Sequence, residues 1–264
     1  MGMKMWLLVD ADMLLFQACC ACEAEIEWQK DIITTHLPVR EAMMLFEDLL
    51  SLKKQQVKAN WVTLCWTGDD NFRKKVEPSY KGNRRATTHR IKPVGFKEVR
   101  RRLDNEHNSE CWYRLEADDV LGILATRHRD KTPVIWSGDK DLKQIPGFHL
   151  TSDGDIDLIT EDEADAYFLQ QCLSGDAVDG YSGCPGIGPK TAKKLIPVER
   201  FSLASAWRVV VQQYEKKGLS ADHALKQARL ARILRDTEYT YDDIELWEPP
   251  TLPTLVTTDS ETRP

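Results

Sequence analysis

The apolar positions of this chain follow two periods. Three short continuous runs, Trp6-Leu7-Leu8-Val9, Trp61 to Trp66 and Val134-Ile135-Trp136, read as strands buried on both faces. Between them the spacing turns helical. Met13 to Glu25 reads as one helix, and Val39 to Lys54 as another, with Ala42, Leu45, Phe46, Leu49, Leu50 and Leu52 supplying its apolar face. A further apolar run, Val120 to Ala125, follows an acidic turn. Strands alternating with helices predict an α/β fold with a mostly parallel central sheet. Phe148 to Ile159 reads as a hairpin around Asp153-Gly154. Thr160 and Glu163 have capping-box spacing and predict a helix from Glu161 to Leu173. Beyond it lie a short helix, then Phe201 to Lys216 and Ala221 to Arg235. The expected domains are therefore an α/β part over 1–160, a helical part over 161–247, and a Pro/Thr/Ser-rich tail over 248–264 expected to be disordered. No internal repeat is visible.

Composition adds little to that picture. The 264 residues are 42% hydrophobic and 30% charged, as in an ordinary globular protein with room for real cores. No apolar run reaches membrane-span length, and the first ten residues lack the regions of a signal peptide. Seven Cys, an odd number, three of them crowded at Cys19, Cys20 and Cys22 on one expected helix, suit packed, reduced thiols in a cytoplasmic protein.

Charge distribution changes the picture more than total charge. The net charge is −6, yet the stretch from Arg73 to Arg102 holds twelve Lys or Arg against Glu77 and Glu98. A chain polarised this way can bind a polyanion through its basic segment. Acids, by contrast, sit at element ends. Asp10 ends the first strand, Asp69 or Asp70 the second, and Asp139 and Asp141 follow the third. Glu116, Asp118 and Asp119 open a helix, and Asp176 and Asp179 lie in a Gly-flanked loop. Taken singly, each has a plain reading as a helix-start acid or a polar turn. So many carboxylates, at strand ends where open sheets place ligands, require positive charge between them. Hard oxygen donors without His or Cys select magnesium or manganese. Carboxylates around a pair of such ions, about 3.5–4 Å apart, are the apparatus of two-metal phosphodiester hydrolysis.

Directly after Asp179 comes Gly183-Cys184-Pro185-Gly186-Ile187-Gly188-Pro189-Lys190-Thr191-Ala192-Lys193-Lys194. Gly186 and Gly188 let backbone N–H groups approach a phosphate, and the lysines add charge. This is a helix-hairpin-helix pattern, used for sequence-independent DNA binding. It lacks Walker A spacing and links helices, so it is neither a P-loop nor a dinucleotide fingerprint. In the basic segment, Tyr80-Lys81-Gly82-Asn83-Arg84-Arg85 places an aromatic among cations, which suits backbone contact with stacking on a base. Its plain alternative is a solvated basic helix.

Together these motifs resemble the flap endonuclease and 5′-3′ exonuclease family, in order, from Leu7 to Asp243. The resemblance implies a PIN-like α/β nuclease domain, a basic arch over 73–105 and a helix-three-turn-helix subdomain. It implies that Asp10, Asp69, Glu116, Asp118 and Asp119 surround a first metal ion, with Asp69 preferred to Asp70 because it follows Gly68. Asp139, Asp141, Asp176 and Asp179 then surround a second. Lys81 and Arg84 would contact the phosphate at the cleaved bond, with Tyr80 and Arg85 beside them on the DNA. Asp10, Asp118 and Asp139 complete the catalytic set. Gly186, Gly188, Lys190, Thr191, Lys193 and Lys194 would grip the duplex backbone, with a K+ ion in the turn. The implied cofactor is a pair of Mg2+ ions, replaceable by Mn2+. The implied substrates are DNA with 5′ ends or flaps and the RNA strand of RNA–DNA hybrids, taken by a monomer. Three rival readings fit the residues less well. A dehalogenase-type phosphatase would use Asp10 and Asp12, but Leu14 stands where it needs Thr or Val. A PIN-type endoribonuclease usually lacks the helical module, and a DNA-binding protein without catalysis has no use for the acids.

Overall fold

The computed structural model describes residues 4–82, 92–199, 201–240 and 243–250. The chain begins β1 (Met5–Asp10), α1 (Ala11–Cys22), β2 (Ala24–Gln29), β3 (Ile32–His36), α2 (Val39–Gln56) and β4 (Ala59–Trp66). It continues α3 (Arg73–Val76), α4 (Phe96–Glu106), β5 (Ser109–Cys111), α5 (Ala117–Arg127), β6 (Pro133–Trp136), β7 (Gly147–Leu150) and β8 (Ile156–Ile159). Helices α6 (Glu161–Ser174), α7 (Pro189–Leu195), α8 (Leu203–Glu215) and α9 (Ala221–Ala231) follow, then the short β9 (Tyr239–Thr240) and β10 (Asp243–Ile244).

The central sheet runs β5-β4-β1-β6-β7-β8. Every pairing is parallel except β7 with β8, the expected hairpin. Alternation along β1 explains its unbroken apolar run. Leu7 and Val9 pack with α1, α2 and α4 on one face, through Leu14, Phe46 and Leu103. Trp6 and Leu8 pack with α5 on the other, through Val120, Leu121 and Leu124. From β1 the chain builds outward to β4 and β5, then crosses back to β6 and β7. The sheet therefore reverses direction at β1, and the carboxyl ends of β1, β4 and β6 meet at one crevice.

Helices α6 to α9 form a second apolar cluster with Phe168, Leu173, Val210 and Tyr214 at its centre and Trp247 closing it. The Thr160/Glu163 capping box is present at the start of α6. After α9 the chain returns to the sheet, where Ile233, Leu234 and Tyr239 pack beside Trp6 and α5.

Two local expectations are corrected. The helix expected to reach Glu25 ends at Cys22, and Ala24 to His36 forms an antiparallel hairpin turned by Asp31 at φ 67°. The helix expected to reach Arg235 stops at Ala231, because the next residues leave to cover the sheet. The expected tail lies outside the described residues from position 251 onward, as do Arg84 and Arg85. Among the described residues no helix is long and apolar enough to cross a membrane.

Candidate active site

A cleft of about 490 Å³ opens at the carboxyl ends of the central strands. Its acidic lining comprises Asp10, Asp12, Glu116, Asp118, Asp139, Asp141, Asp176 and Asp179. They arrive in pairs on four structural devices. Asp10 ends β1 and caps α1, accepting from Met13 N at 3.1 Å and from Ser137 Oγ at 2.7 Å. Ser137 Oγ also accepts from Asp139 N at 3.0 Å, which ties the end of β6 to the end of β1. Asp139 in turn accepts from Asp141 N at 2.8 Å, and Gln171 of α6 donates to Asp141 at 2.7 Å.

Asp176 and Asp179 are presented by a pinched loop. Gly175 and Gly183 lie so close that a Cβ on Gly183 would come 2.3 Å from Gly175 N, and both adopt φ values near +65° (68° and 64°) that favour glycine. Inside the loop, Asp176 Oδ1 accepts from Val178 N at 2.7 Å, which holds the turn.

The cations are as definite as the acids. Lys81 Nζ is paired with Glu116 and lies 3.5 Å from Asp179 Oδ2, and its own N–H donates to the Asp179 carbonyl at 2.9 Å. Tyr80 OH bridges the same two carboxylates, at 3.3 Å and 3.2 Å. The base of the basic segment is thus latched across the cleft, from the start of α5 to the pinched loop.

Burial and mutual repulsion set the proton affinities. Burial pushes Asp10 up to about 6, with Asp12 and Asp139 adding to it. Burial pushes Asp118 well above the usual carboxylate range, and the nearby Asp10 and Asp139 charges push it further. Asp141 is held at about 6 by burial and then by Asp139. Burial also acts against Glu116, but Lys81 and Arg73 outweigh it and hold that group at about 2. Raised carboxyls beside one another are the electrostatic signature of a site that accepts a cation.

Not every expected residue comes to the cleft. Asp119 is fully buried and turned away, its two oxygens taken by Arg73 at 2.8 and 2.7 Å, with Glu116 N and Leu234 N also donating to it. Asp69 is exposed and outside the lining. The strand after Trp66 pairs with 112–115, and Gly68 fits there because a Cβ would meet the Trp112 carbonyl oxygen at 2.0 Å. That pairing, with Arg114 N donating to the Asp69 carbonyl at 2.9 Å, carries Asp69 outward. Asp12, absent from the expected set, lines the cleft instead. Gly186, Gly188, Lys190, Thr191, Lys193 and Lys194 stand exposed on and before α7, away from the acids. Among the described residues no three His, Cys, Asp or Glu side chains are drawn to ligand distance of one point, and Lys81 stands between Glu116 and Asp179. The donors at the cleft are all oxygens, which fits a hard divalent ion.

Residues 5–167 match the model of the 5′-3′ exonuclease N-terminal, resolvase-like domain. The chain belongs to the 5′-3′ exonuclease family. It is 32% identical to the exodeoxyribonuclease of Enterobacteria phage T3, across 92% of each chain. It is also 32% identical to the exonuclease of Escherichia phage T7, across 92% of this chain and 93% of that one. The fold of this exonuclease-family chain matches a solved structure of a bacteriophage T5 flap endonuclease in a pseudo-enzyme-product complex with DNA and metal ions. The TM-score is 0.65 at 14% identity, covering 89% of this chain and 90% of that one. The expected architecture, a PIN-like α/β domain with a mostly parallel sheet, is therefore the observed one, and the protein is a nuclease.

Proposed function

We propose that this nuclease hydrolyses phosphodiester bonds near the 5′ ends and flaps of DNA, and of RNA paired with DNA, with two Mg2+ ions held in the cleft and Mn2+ able to replace them. The observation that carries the reading is the convergence of Asp10, Glu116, Asp118, Asp139, Asp141, Asp176 and Asp179 on one cleft that Arg73, Lys81 and Lys92 also line. Asp10, Glu116 and Asp118 are grouped at β1 and α5 and suit the first ion. Asp139, Asp141, Asp176 and Asp179 suit the second. Divalent ions bound there supply activated water and positive charge at phosphorus.

The chain's own residues do the rest. Ser137 and Gln171 orient Asp10 and Asp141 by donating to them. Lys81, which the fold holds beside Glu116 and Asp179, would contact the phosphate beside the cleaved bond, with Arg84 from the same segment. Tyr80 holds Glu116 and Asp179 in place. Lys190, Lys193 and Lys194, with Thr191 and the Gly186–Gly188 turn, hold the duplex backbone as point charges and exposed N–H groups, the turn being suited to K+. The reading takes the protein as a monomer, the described lining of the cleft coming from one chain.

The test uses a 5′-labelled flap duplex, with and without Mg2+, beside a control with a blocked 5′ end. Short labelled products that require Mg2+ are expected. Tight binding without cleavage in either Mg2+ or Mn2+ would overturn the reading in favour of a DNA-binding protein.

A further inference from the structure

Asp12 is the one acidic residue of the cleft that neither the strand-end pattern nor the family motifs single out. It is the second residue of α1, two positions after Asp10, so both carboxylates start from the same chain turn at the end of β1. Its Oδ2 accepts from Thr67 N at 2.7 Å, which fixes the side chain against the end of β4. Thr67 Oγ1 in turn accepts from Ala117 N at 3.1 Å, one residue before Asp118. A short chain of bonds therefore runs from Asp12 through Thr67 to the start of α5, where Glu116 and Asp118 stand.

The other oxygen is the informative one. Asp12 Oδ1 is buried without a hydrogen bond, and among the described residues its ion pair is the long one with Arg100 Nη1 at 3.8 Å. A first-turn acid that serves only the helix dipole has no reason to bury an unbonded oxygen. The hydrogen bond of Arg100 on this side comes from its other terminal nitrogen, Nη2, which donates to Thr67 O at 2.8 Å while the guanidinium stacks over Trp66. Asp69, implied for this flank by the family resemblance, is carried outward by its pairing with 112–115 and does not line the cleft.

We propose that Asp12 is a further carboxylate of the metal site, supplying to the surroundings of the first ion, on the β4 side, the Oδ1 that makes no hydrogen bond. This rests on the divalent-metal reading of the cleft given above. Asp12 thus takes the part that the resemblance assigns to Asp69.

The test is calorimetric titration of Mn2+ into the full-length protein without DNA, with thermal melting of each metal-free variant. Asp12→Asn keeps an acceptor for Thr67 N and removes the second anionic oxygen. Asp12→Ser, whose hydroxyl also faces that N–H, serves if the Asn variant does not fold. The expected result is Mn2+ affinity lowered about tenfold or more for one ion, an unchanged metal-free melt, and wild-type affinity in Asp69→Asn. Wild-type affinity in Asp12→Asn, with binding lost in Asp118→Asn, overturns the Asp12 proposal alone. So does a loss confined to Asp69→Asn. Absence of Mn2+ binding in the wild type overturns the metal reading itself and this proposal with it.

Discussion

Asp118 and Asp119 are sequence neighbours with opposite work. About 100° of helical turn separates them, so they cannot face the same point. Asp118 faces the cleft and Asp119 the interior, where Arg73 is 3% exposed and binds it with both terminal nitrogens. Arg73 also donates to the Leu230 and Arg232 carbonyls, joining the base of the basic segment to the end of α9. Asp119→Ala removes the two-pronged partner of that guanidinium, leaving it the longer contact with Glu116 at 3.3 Å, and is expected to lower unfolding free energy by about 3 kcal/mol in urea denaturation. Asp118→Asn removes a repelling charge and should leave metal-free stability equal or higher. Equal losses in the two variants would contradict this division. The acidic cluster itself was legible from residue types alone. The separation of Asp119 from it was not, because its partner lies 46 residues upstream at Arg73. Asp69 was misplaced for a similar reason, since the contact that turns it outward is with the backbone of Trp112 to Leu115.

Elements were legible where one property dominated. Continuous apolar runs marked β1, β4 and β6, since each of these strands is covered on both faces. The reciprocal Thr160–Glu163 cap marked the start of α6 to the residue. The hairpin of β2 and β3 was illegible because it has no buried face to impose a pattern, with Trp28, Ile32 and Ile33 all more than half exposed at 65%, 51% and 56%. The alternation Glu25-Ile26-Glu27-Trp28 has the strand period but spans only four residues. The three-residue β5 escaped for want of length. The loop from Gly175 to Gly183 was legible as a tight turn, yet its pinch depends on two glycines meeting backbone to backbone, which spacing alone does not reveal.

At the scale of the molecule, a net charge of −6 conceals a cleft whose acids share its lining with Arg73, Lys81 and Lys92 of the basic segment. The buried, crowded acids have a cost in metal-free stability, and its sign can be worked out. Asp10 has an ordinary value of 3.8 and is raised to about 6 in the fold, so between those values the folded state holds a proton that the unfolded state has lost. Stability therefore falls as pH rises from about 4 to about 6 and then levels off, by ~3 kcal/mol at most for this group. Asp118 and Asp141 act in the same direction. Glu116, lowered from 4.5 to about 2, acts oppositely but below that window. Urea denaturation of the metal-free protein should show this decline, and Mg2+ should remove it by favouring the ionised carboxylates. A flat or rising profile in metal-free protein would contradict the burial of these charges.

The central claim is that the acidic cleft performs the cleavage, and one measurement addresses it directly. Single-turnover cleavage and equilibrium binding are followed on the same 5′-labelled flap duplex, for wild type and Asp118→Asn in Mg2+. The account predicts cleavage slowed by at least about a thousandfold, near 4 kcal/mol in the barrier, with DNA affinity and fold retained. Wild-type cleavage by Asp118→Asn would place the chemistry elsewhere on the protein.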